Sequence, residues 1–137
     1  INDSMSNYVS HKAIEMLKEN EIDPSKSHIL IMGLSFKENC PDIRNTKISD
    51  LVNQLQGNVS QIDLFDPCVD KNLAKKELDL ELIEYPQEAS YDLLILAVPH
   101  KEFIEMGINK IRELLKPNGL IYDLKYLFDK DHTDSRL

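Results

Sequence analysis

The sequence is poor in the residues that build several common classes of protein. It has 2 cysteines, 4 glycines and no tryptophan among 137 residues. Two cysteines cannot build the disulfide framework of a small secreted domain. The longest apolar run, from Leu93 to Pro99, is far shorter than the roughly 20 residues that span a bilayer. We therefore expect neither a disulfide-stapled protein nor a membrane-bound one.

Cations are also in deficit, with 16 Lys and Arg against 24 Asp and Glu, for a net charge of −8. An acidic chain repels nucleic acid and anionic lipid unless its cations cluster, so we expect no nucleic-acid partner. The first residues lack the pattern of a signal peptide, which favours a cytoplasmic location. The chain opens with Ile1 rather than Met, which indicates that something upstream has been removed.

Helical and strand patterns alternate along the rest of the chain. Apolar residues at helical spacing predict a long helix from Ser4 to Asn20. Asn45 or Thr46 is placed to cap a second helix. Short apolar runs predict strands, and further helical patterns lie between them. The predicted strands are 28–33, 61–65, 80–83, 92–98 and 120–124, the later helices are 69–78 and 104–115, and a turn is expected at 116–119.

This alternation predicts an α/β fold, a doubly wound, mostly parallel Rossmann-like sheet with a long N-terminal helix. We expect the helix to occupy 1–22 and the sheet domain 27–137. The helix has no sequence-adjacent partner. It either packs against a domain or subunit outside this chain, or it covers one face of the domain's own sheet.

The segment after the first strand is the most informative one for function, because ligands of open parallel sheets bind beyond the carboxyl ends of the strands. It contains a single glycine, Gly33, so neither the G-x-G-x-x-G nor the Walker pattern is present. It does carry three cations, Lys37, Arg44 and Lys47. These form an anion site with the next helix N-terminus, or they only keep a solvated loop soluble.

Phe36 on the same loop and three residues at the other strand ends are further candidates. Phe36 either stacks on a base or sugar or fills the local core. Asp66 is either a ribose-binding acid or the cap of a turn with Pro67. His100 is either a ligand contact, with acid–base capacity near pH 7, or simply a helix-start histidine. Lys125 follows the last strand as one more cation.

The two cysteines, Cys40 and Cys68, have no histidine at zinc-ligand spacing. We therefore expect no metal site and no cysteine nucleophile in this chain.

The block from Gly33 to Lys47 closely resembles a known signature, G-x-x-F-K-x-x-x-x-D-x-R-x-[ST]. This signature belongs to the C-terminal, UDP-binding domain of the UDP-glucose/GDP-mannose dehydrogenase family. Its Glu-Asn-Cys-Pro-Asp-Ile-Arg-Asn-Thr portion is most similar to the branch that acts on UDP-N-acetylhexosamines for surface polysaccharides. Further similar segments lie at 1–5, 65–67, 97–103 and 122–125, so the resemblance covers essentially the whole chain.

The resemblance implies an NAD-dependent UDP-sugar 6-dehydrogenase, which oxidises the C6 alcohol of the sugar to a uronic acid with two NAD. In that family an N-terminal Rossmann domain holds NAD, and the catalytic cysteine lies upstream of the linking helix. Residues 1–22 would then link to the central domain, and 27–137 would bind the UDP-sugar. This chain would be inactive alone, and the intact enzyme would be a homodimer built through the central helix.

Carried over by motif, the resemblance implies roles for four residues. Phe36 and Lys37 would contact the nucleotide-sugar, and Arg44 would reach NAD held by the N-terminal domain. Lys125 lies near a position where relatives contact the substrate. No catalytic residue and no metal ligand is implied. Pro99, where the family often has Ala, is a departure next to His100.

Two other classes of doubly wound domain remain as alternatives. A receiver-like signalling domain would need an acidic pair after the first strand and a hydroxyl after the fourth, where this chain has 35–36 and 99–100, Ser-Phe and Pro-His. A stand-alone NAD-binding domain would need the glycine fingerprint, which is absent.

Overall fold

The structure is a computed structural model, and it describes residues 3–35, 37–44 and 46–137. Phe36 and Asn45 lie outside the described residues. In chain order the strands are β1 His28–Met32, β2 Gln61–Phe65, β3 Tyr91–Leu96, β4 Leu115–Asp123 and β5 Ser135–Arg136. The α-helices are α1 Asp3–Glu19, α2 Ile48–Leu55, α3 Lys71–Leu78 and α4 Lys101–Leu114, with short 3₁₀ turns at Pro24–Lys26 and Lys130–His132.

The described strands form one parallel sheet in the order β2-β1-β3-β4-β5. The chain runs outward from β1 to β2, returns to β3 on the other side of β1, and then continues away. The order therefore reverses between β1 and β3, which makes the crevice above their carboxyl ends the topological switch point. The doubly wound parallel sheet that the sequence predicts is confirmed.

Helices cover both faces of this sheet. On one face α1 packs its fully buried residues Val9, Ala13 and Leu17 into the core that α2 also lines. On the other face α4 buries Phe103 and Leu114 against the sheet, each side chain contributing about 1.5–3 kcal/mol of hydrophobic free energy. Of the two placements open for α1, the structure shows the helix against this domain's own core.

The central strand β3 is buried along its whole length, as its continuous apolar pattern predicts. In the part of the chain that the structure describes, no helix has the length and apolarity needed to cross a bilayer.

Two predictions between the strands are wrong. Residues 80–83 are not a strand and make only an isolated bridge, between Leu64 and Leu82. The predicted turn at 116–119 is absorbed into β4. There the pairing jumps from Tyr91–Leu115 to Leu93–Leu120. Buried Leu115 starts the strand early, so the polar residues after it bulge outward rather than ending an element.

The starts of α3 and α4 differ from the predicted ones, whereas Thr46, one of the two predicted caps of α2, does accept a hydrogen bond at the start of that helix. Asp70 accepts hydrogen bonds from two backbone N–H groups, so α3 starts at Lys71 rather than at 69. His100 is the extended residue before α4, which starts at Lys101 and is interrupted by Gly107 at φ 80°. The two-residue β5 was not predicted, since so short a strand carries no pattern.

Gly33 directly follows β1, in a conformation and a space that only glycine fits. Its φ is 115°, and a Cβ there would lie 2.7 Å from Val98 Cβ and 2.8 Å from Val98 N. The chain leaving β1 therefore passes directly against the chain leaving β3. This contact brings the two loops of the switch point together.

We expect Gly33→Ala to destabilise the domain by about 3 kcal/mol or more, because backbone strain adds to a clash with backbone atoms. Gly57→Ala is the matched control. Gly57 also has a positive φ, of 87°, but a Cβ there meets nothing within 4 Å, so only about 1 kcal/mol of strain is expected. Urea unfolding midpoints of the two variants measure the difference. Equal midpoints would show that the Val98 contact does not constrain this site.

Candidate functional site

Three side chains that follow β1, β2 and β3 meet at the switch point. Ser35, Asp66 and His100 are 2%, 4% and 0% exposed. Asp66 comes directly after β2, and Ser35 and His100 come a few residues after β1 and β3. The carboxyl ends of these apolar strands lie at one edge of the sheet. Together with the exposed Asn39 of the loop after β1, these three buried residues form a hydrogen-bonded group that we call the Asp66 network.

The carboxylate of Asp66 accepts four hydrogen bonds. Oδ2 accepts from the backbone N–H groups of Leu34 at 2.7 Å and Ser35 at 2.9 Å, and it lies 2.9 Å from Nε2 of His100. Oδ1 accepts from the backbone N–H of Cys68 at 2.8 Å. The side chain therefore binds the loops after β1, β2 and β3 to one another.

Asp66 is ionised at neutral pH. Burial by itself raises the pKa of this carboxyl, but hydrogen bonds from His100, Leu34 and Ser35 outweigh that effect, and the pKa is lowered. Hydrogen bonds to a charged group contribute about 1.5–3 kcal/mol each. The protein itself fills these acceptor positions, so the contacts of Asp66 are those of a residue that caps a turn. A ribose hydroxyl would have to displace one of these contacts.

The protonation of His100 follows from its neighbours. Nδ1 accepts the backbone N–H of Asn39 at 2.9 Å, so it carries no proton. The proton is on Nε2, which faces Asp66 Oδ2 and, at 3.1 Å, Ser35 Oγ. His100 is thus a buried, fully partnered histidine at the start of α4.

Serine, histidine and aspartate are together here, but they are not arranged as a catalytic triad. In a triad the acid and the nucleophile contact opposite ring nitrogens, whereas Asp66 and Ser35 both contact Nε2 of His100. The hydroxyl of Ser35 donates to the carbonyl of Lys37 at 2.9 Å. Among the described residues, therefore, no base is placed to activate Ser35.

Cys68 lies beside this network. The sequence analysis did not predict this contact, because Cys68 and His100 are 32 residues apart in the chain. Its Sγ is 3.6 Å from His100 Nδ1 and 3.6 Å from Glu102 Oε2. Ligand atoms of Asp66, Cys68 and His100 lie within 4.8 Å of one another, a spacing that a metal ion can use. Burial and the nearby carboxylates raise the pKa of the Cys68 thiol to about 11, and both the carboxylate and Nδ1 already accept hydrogen bonds. The group is thus built as a hydrogen-bonded cluster, with a protonated thiol.

Lys37 stands on the solvent side of this cluster. Its side chain is exposed, while its carbonyl is held by Ser35. Its charge contributes to the lowered pKa of Asp42. The neighbouring aromatic, Phe36, lies outside the described residues.

Arg44 is also exposed, with 85% of its side chain accessible, and it forms a two-pronged ion pair with Asp42. Nε and Nη2 of the guanidinium lie 3.1 and 2.9 Å from the two carboxylate oxygens, and the backbone N–H of Arg44 donates to Oδ1. These hydrogen bonds lower the pKa of Asp42 to about 2. The role of Asp42 was not predicted, although the D-x-R spacing signals it.

Lys125 is exposed on the loop after β4. The loop is held by the fully buried Asp123, which accepts from the backbone N–H groups of Lys125 at 3.3 Å, Leu127 at 3.0 Å and Phe128 at 3.0 Å. The same device, a buried carboxylate binding backbone N–H groups, therefore shapes the loops after β2 and β4.

The described part of this edge thus combines buried carboxylates below with exposed cations above. Lys37, Arg44 and Lys125 all project from loops at the carboxyl ends of parallel strands. Such an arrangement can bind an anionic ligand through side chains rather than through a glycine-rich backbone.

Comparison with known proteins shows which family the chain is similar to. Residues 30–130 match the family model for the UDP binding domain of the UDP-glucose/GDP-mannose dehydrogenase family. The chain is 43% identical over 137 residues to UDP-N-acetyl-D-glucosamine 6-dehydrogenase of Pseudomonas aeruginosa, and 40% identical to the Salmonella typhi protein of the same name. All of the chain is covered in both cases, but only 32% of each relative.

Solved structures show the same fold. The UDP-D-ManNAc dehydrogenase of Pyrococcus horikoshii matches 94% of the chain with a TM-score of 0.78 at 21% identity, over 29% of its own length. The chain spans about a third of the length of the curated relatives it matches, and the matched part is their C-terminal, UDP-binding domain. On its family match, its full-chain identity and its fold, the chain belongs to the UDP-glucose/GDP-mannose dehydrogenase family.

Proposed function

We propose that this chain binds a UDP-sugar as part of an NAD-dependent UDP-sugar 6-dehydrogenase. The observation that carries the proposal is the position of Lys37. It is the lysine of the matched motif, and it is exposed at the switch point on a loop held by a buried network. An ammonium group there offers a point charge to the diphosphate of a nucleotide-sugar.

Local cations matter here because the chain as a whole carries a net charge of −8. Lys125 supplies a second cation from the loop after β4, on the same edge of the sheet as Lys37. Phe36, next to Lys37 in the chain, would contact the nucleotide-sugar as the family motif implies. The similarity to relatives named for UDP-N-acetyl-D-glucosamine favours a UDP-N-acetylhexosamine as the substrate. The uronic acid product would then be used for surface polysaccharide synthesis.

This chain's own crevice does not fit NAD. In a dinucleotide fingerprint the second glycine lets the backbone approach the pyrophosphate, and this chain has Ser35 at that position, two residues after Gly33. The carboxylate oxygens of Asp66, the acid after β2, already accept hydrogen bonds from backbone N–H groups and from His100. NAD would therefore be held mainly by an N-terminal domain. Arg44 would meet its phosphates across the domain interface, because a guanidinium is suited to such contacts.

NAD accepts hydride when bound, and two equivalents with one water convert a C6 alcohol to a carboxylate, releasing two NADH and three protons. The contribution of this chain is to bind and orient the UDP-sugar. Cys68 is not proposed as the nucleophile, since its thiol is protonated at neutral pH. The catalytic cysteine would lie in an upstream domain, with α1 linking this domain to the central one. The enzyme would be a cytoplasmic homodimer, and this chain alone would be inactive.

The first test is Lys37→Ala in the full-length enzyme. We expect the KM for the UDP-sugar to rise about 10- to 100-fold, because a charge-assisted contact of about 1.5–3 kcal/mol is lost. The thermal midpoint should hardly change, since the side chain is exposed. Lys26→Ala is the matched control. Lys26 is exposed just before β1, at the opposite edge of the sheet, so its KM should stay at the wild-type value. An unchanged KM in Lys37→Ala would remove Lys37 from the binding site.

The second test is Arg44→Lys, which keeps the positive charge and removes the fork that Asp42 orients. We expect the KM for NAD to rise about 10-fold, because two-pronged recognition needs a guanidinium. Arg112→Lys is the control, since Arg112 pairs with Asp134 on α4's side of the molecule. Initial rates at varied NAD separate the two variants. An Arg44→Lys enzyme with wild-type NAD kinetics would contradict the proposed contact.

The third test uses the 137-residue chain itself. Calorimetric titration with UDP should show weak binding, about millimolar, because half of the cleft is present. Titration with NADH, followed by fluorescence, should show no binding. Tight NADH binding by this chain would instead support a stand-alone NAD-binding domain.

A further inference from the structure

The loop from residue 34 to residue 39, which carries Lys37, is held by side chains that follow β2 and β3, the two strands on either side of β1. Its beginning is fixed by Asp66, through the N–H groups of Leu34 and Ser35. Its end is fixed by His100, whose Nδ1 accepts the N–H of Asn39 at 2.9 Å. Lys37 lies between these two anchor points.

Asn39 is suited to its place in this loop. Its φ is 55°, a left-handed conformation that asparagine tolerates better than most residues. Its side-chain Oδ1 accepts from the backbone N–H of Lys101 at 2.9 Å. The loop end is therefore joined to residues 100 and 101 by two hydrogen bonds, one to a side chain and one to the start of α4.

The direction of each hydrogen bond in the network is determined. The N–H of Asn39 can only donate, so His100 Nδ1 must accept, and Nε2 must carry the proton toward Asp66 and Ser35. The hydroxyl proton of Ser35 goes to the carbonyl of Lys37. The backbone at Lys37 thus depends on His100 both through Ser35 and through Asn39.

We propose that His100 is a positioning residue for ligand binding. Its Nδ1 accepts the backbone N–H of Asn39, and this hydrogen bond determines the position from which Lys37 contacts the UDP-sugar. This inference rests on the proposed function for the identity of the ligand. The contact that determines the position is specific. It is the bond from Asn39 to Nδ1, rather than the bond between Nε2 and Asp66, because Asp66 holds the beginning of the loop without help from His100.

Two amide variants separate these contacts. In asparagine the side-chain oxygen occupies the place of Nδ1, and in glutamine the amide group reaches the place of Nε2. His100→Asn therefore keeps an acceptor for Asn39, while His100→Gln keeps a partner for Asp66. Both variants leave space in a fully buried site, so both should lower the thermal midpoint.

In the full-length enzyme we expect His100→Gln to raise the KM for the UDP-sugar about fivefold, the effect of losing one hydrogen bond. His100→Asn should stay within about twofold of wild type. The kcat should change little in either variant, as expected when binding is lost equally from ground state and transition state. Lys37→Ala in the same assay is the reference for loss of the ammonium group.

Hydrogen exchange of the Asn39 backbone amide, resolved to the single residue and measured without ligand, directly reports the hydrogen bond from Asn39 N–H to His100 Nδ1. It should be faster in His100→Gln than in His100→Asn. Equal exchange in the two variants, or any other order of their KM values, overturns the positioning role. If Lys37→Ala leaves KM unchanged, the proposed function fails instead, while the exchange rates still decide whether His100 holds the loop.

Discussion

One buried carboxylate holds the ends of three parallel strands together. Asp66 follows β2, binds the backbone that leaves β1 and contacts the histidine that follows β3. A buried charge is stable only when its lone pairs are filled, and four contacts fill them here. Removing the carboxylate would leave N–H groups of the β1 loop without an acceptor, so the geometry of the switch point depends on this one side chain.

This arrangement replaces glycine with side chains as the means of shaping a ligand loop. In a dinucleotide fingerprint, glycines let the backbone itself approach a pyrophosphate. Here a single glycine, Gly33, serves close packing against Val98, and the rest of the loop is held from beneath by Asp66 and His100. The cations therefore reach outward on side chains, as Lys37 does. Different residues therefore hold the loop and bind the ligand: Asp66 and His100 hold the loop, and Lys37 is available to the ligand.

Arg44 shows the same division at the far end of the motif. Asp42 orients the guanidinium through two hydrogen bonds, yet most of the side chain remains exposed. Such an oriented cation is suited to a contact with another domain, since its own domain leaves it only one partner among the described residues.

Much of the fold was predictable because its strands are short, apolar and separated by clear breaks. The apolar run in β3 placed a central strand correctly, and the spacing of apolar residues in α1 placed a helix correctly. The failures came where the burial of one residue, or one capping side chain, outweighed the local pattern. Leu115 extended β4 through a polar segment that looked like a turn, and Asp70 moved the start of α3.

The sequence by itself determined the alternation of elements, the missing glycine fingerprint and the motif that contains Lys37 and Arg44. Only the tertiary structure decided what Asp66, His100 and Cys68 do, because their partners are distant along the chain. Each has an ambiguous local context. The folded chain resolves it, since parallel strands bring their carboxyl ends to one edge, and buried polar groups there must satisfy one another.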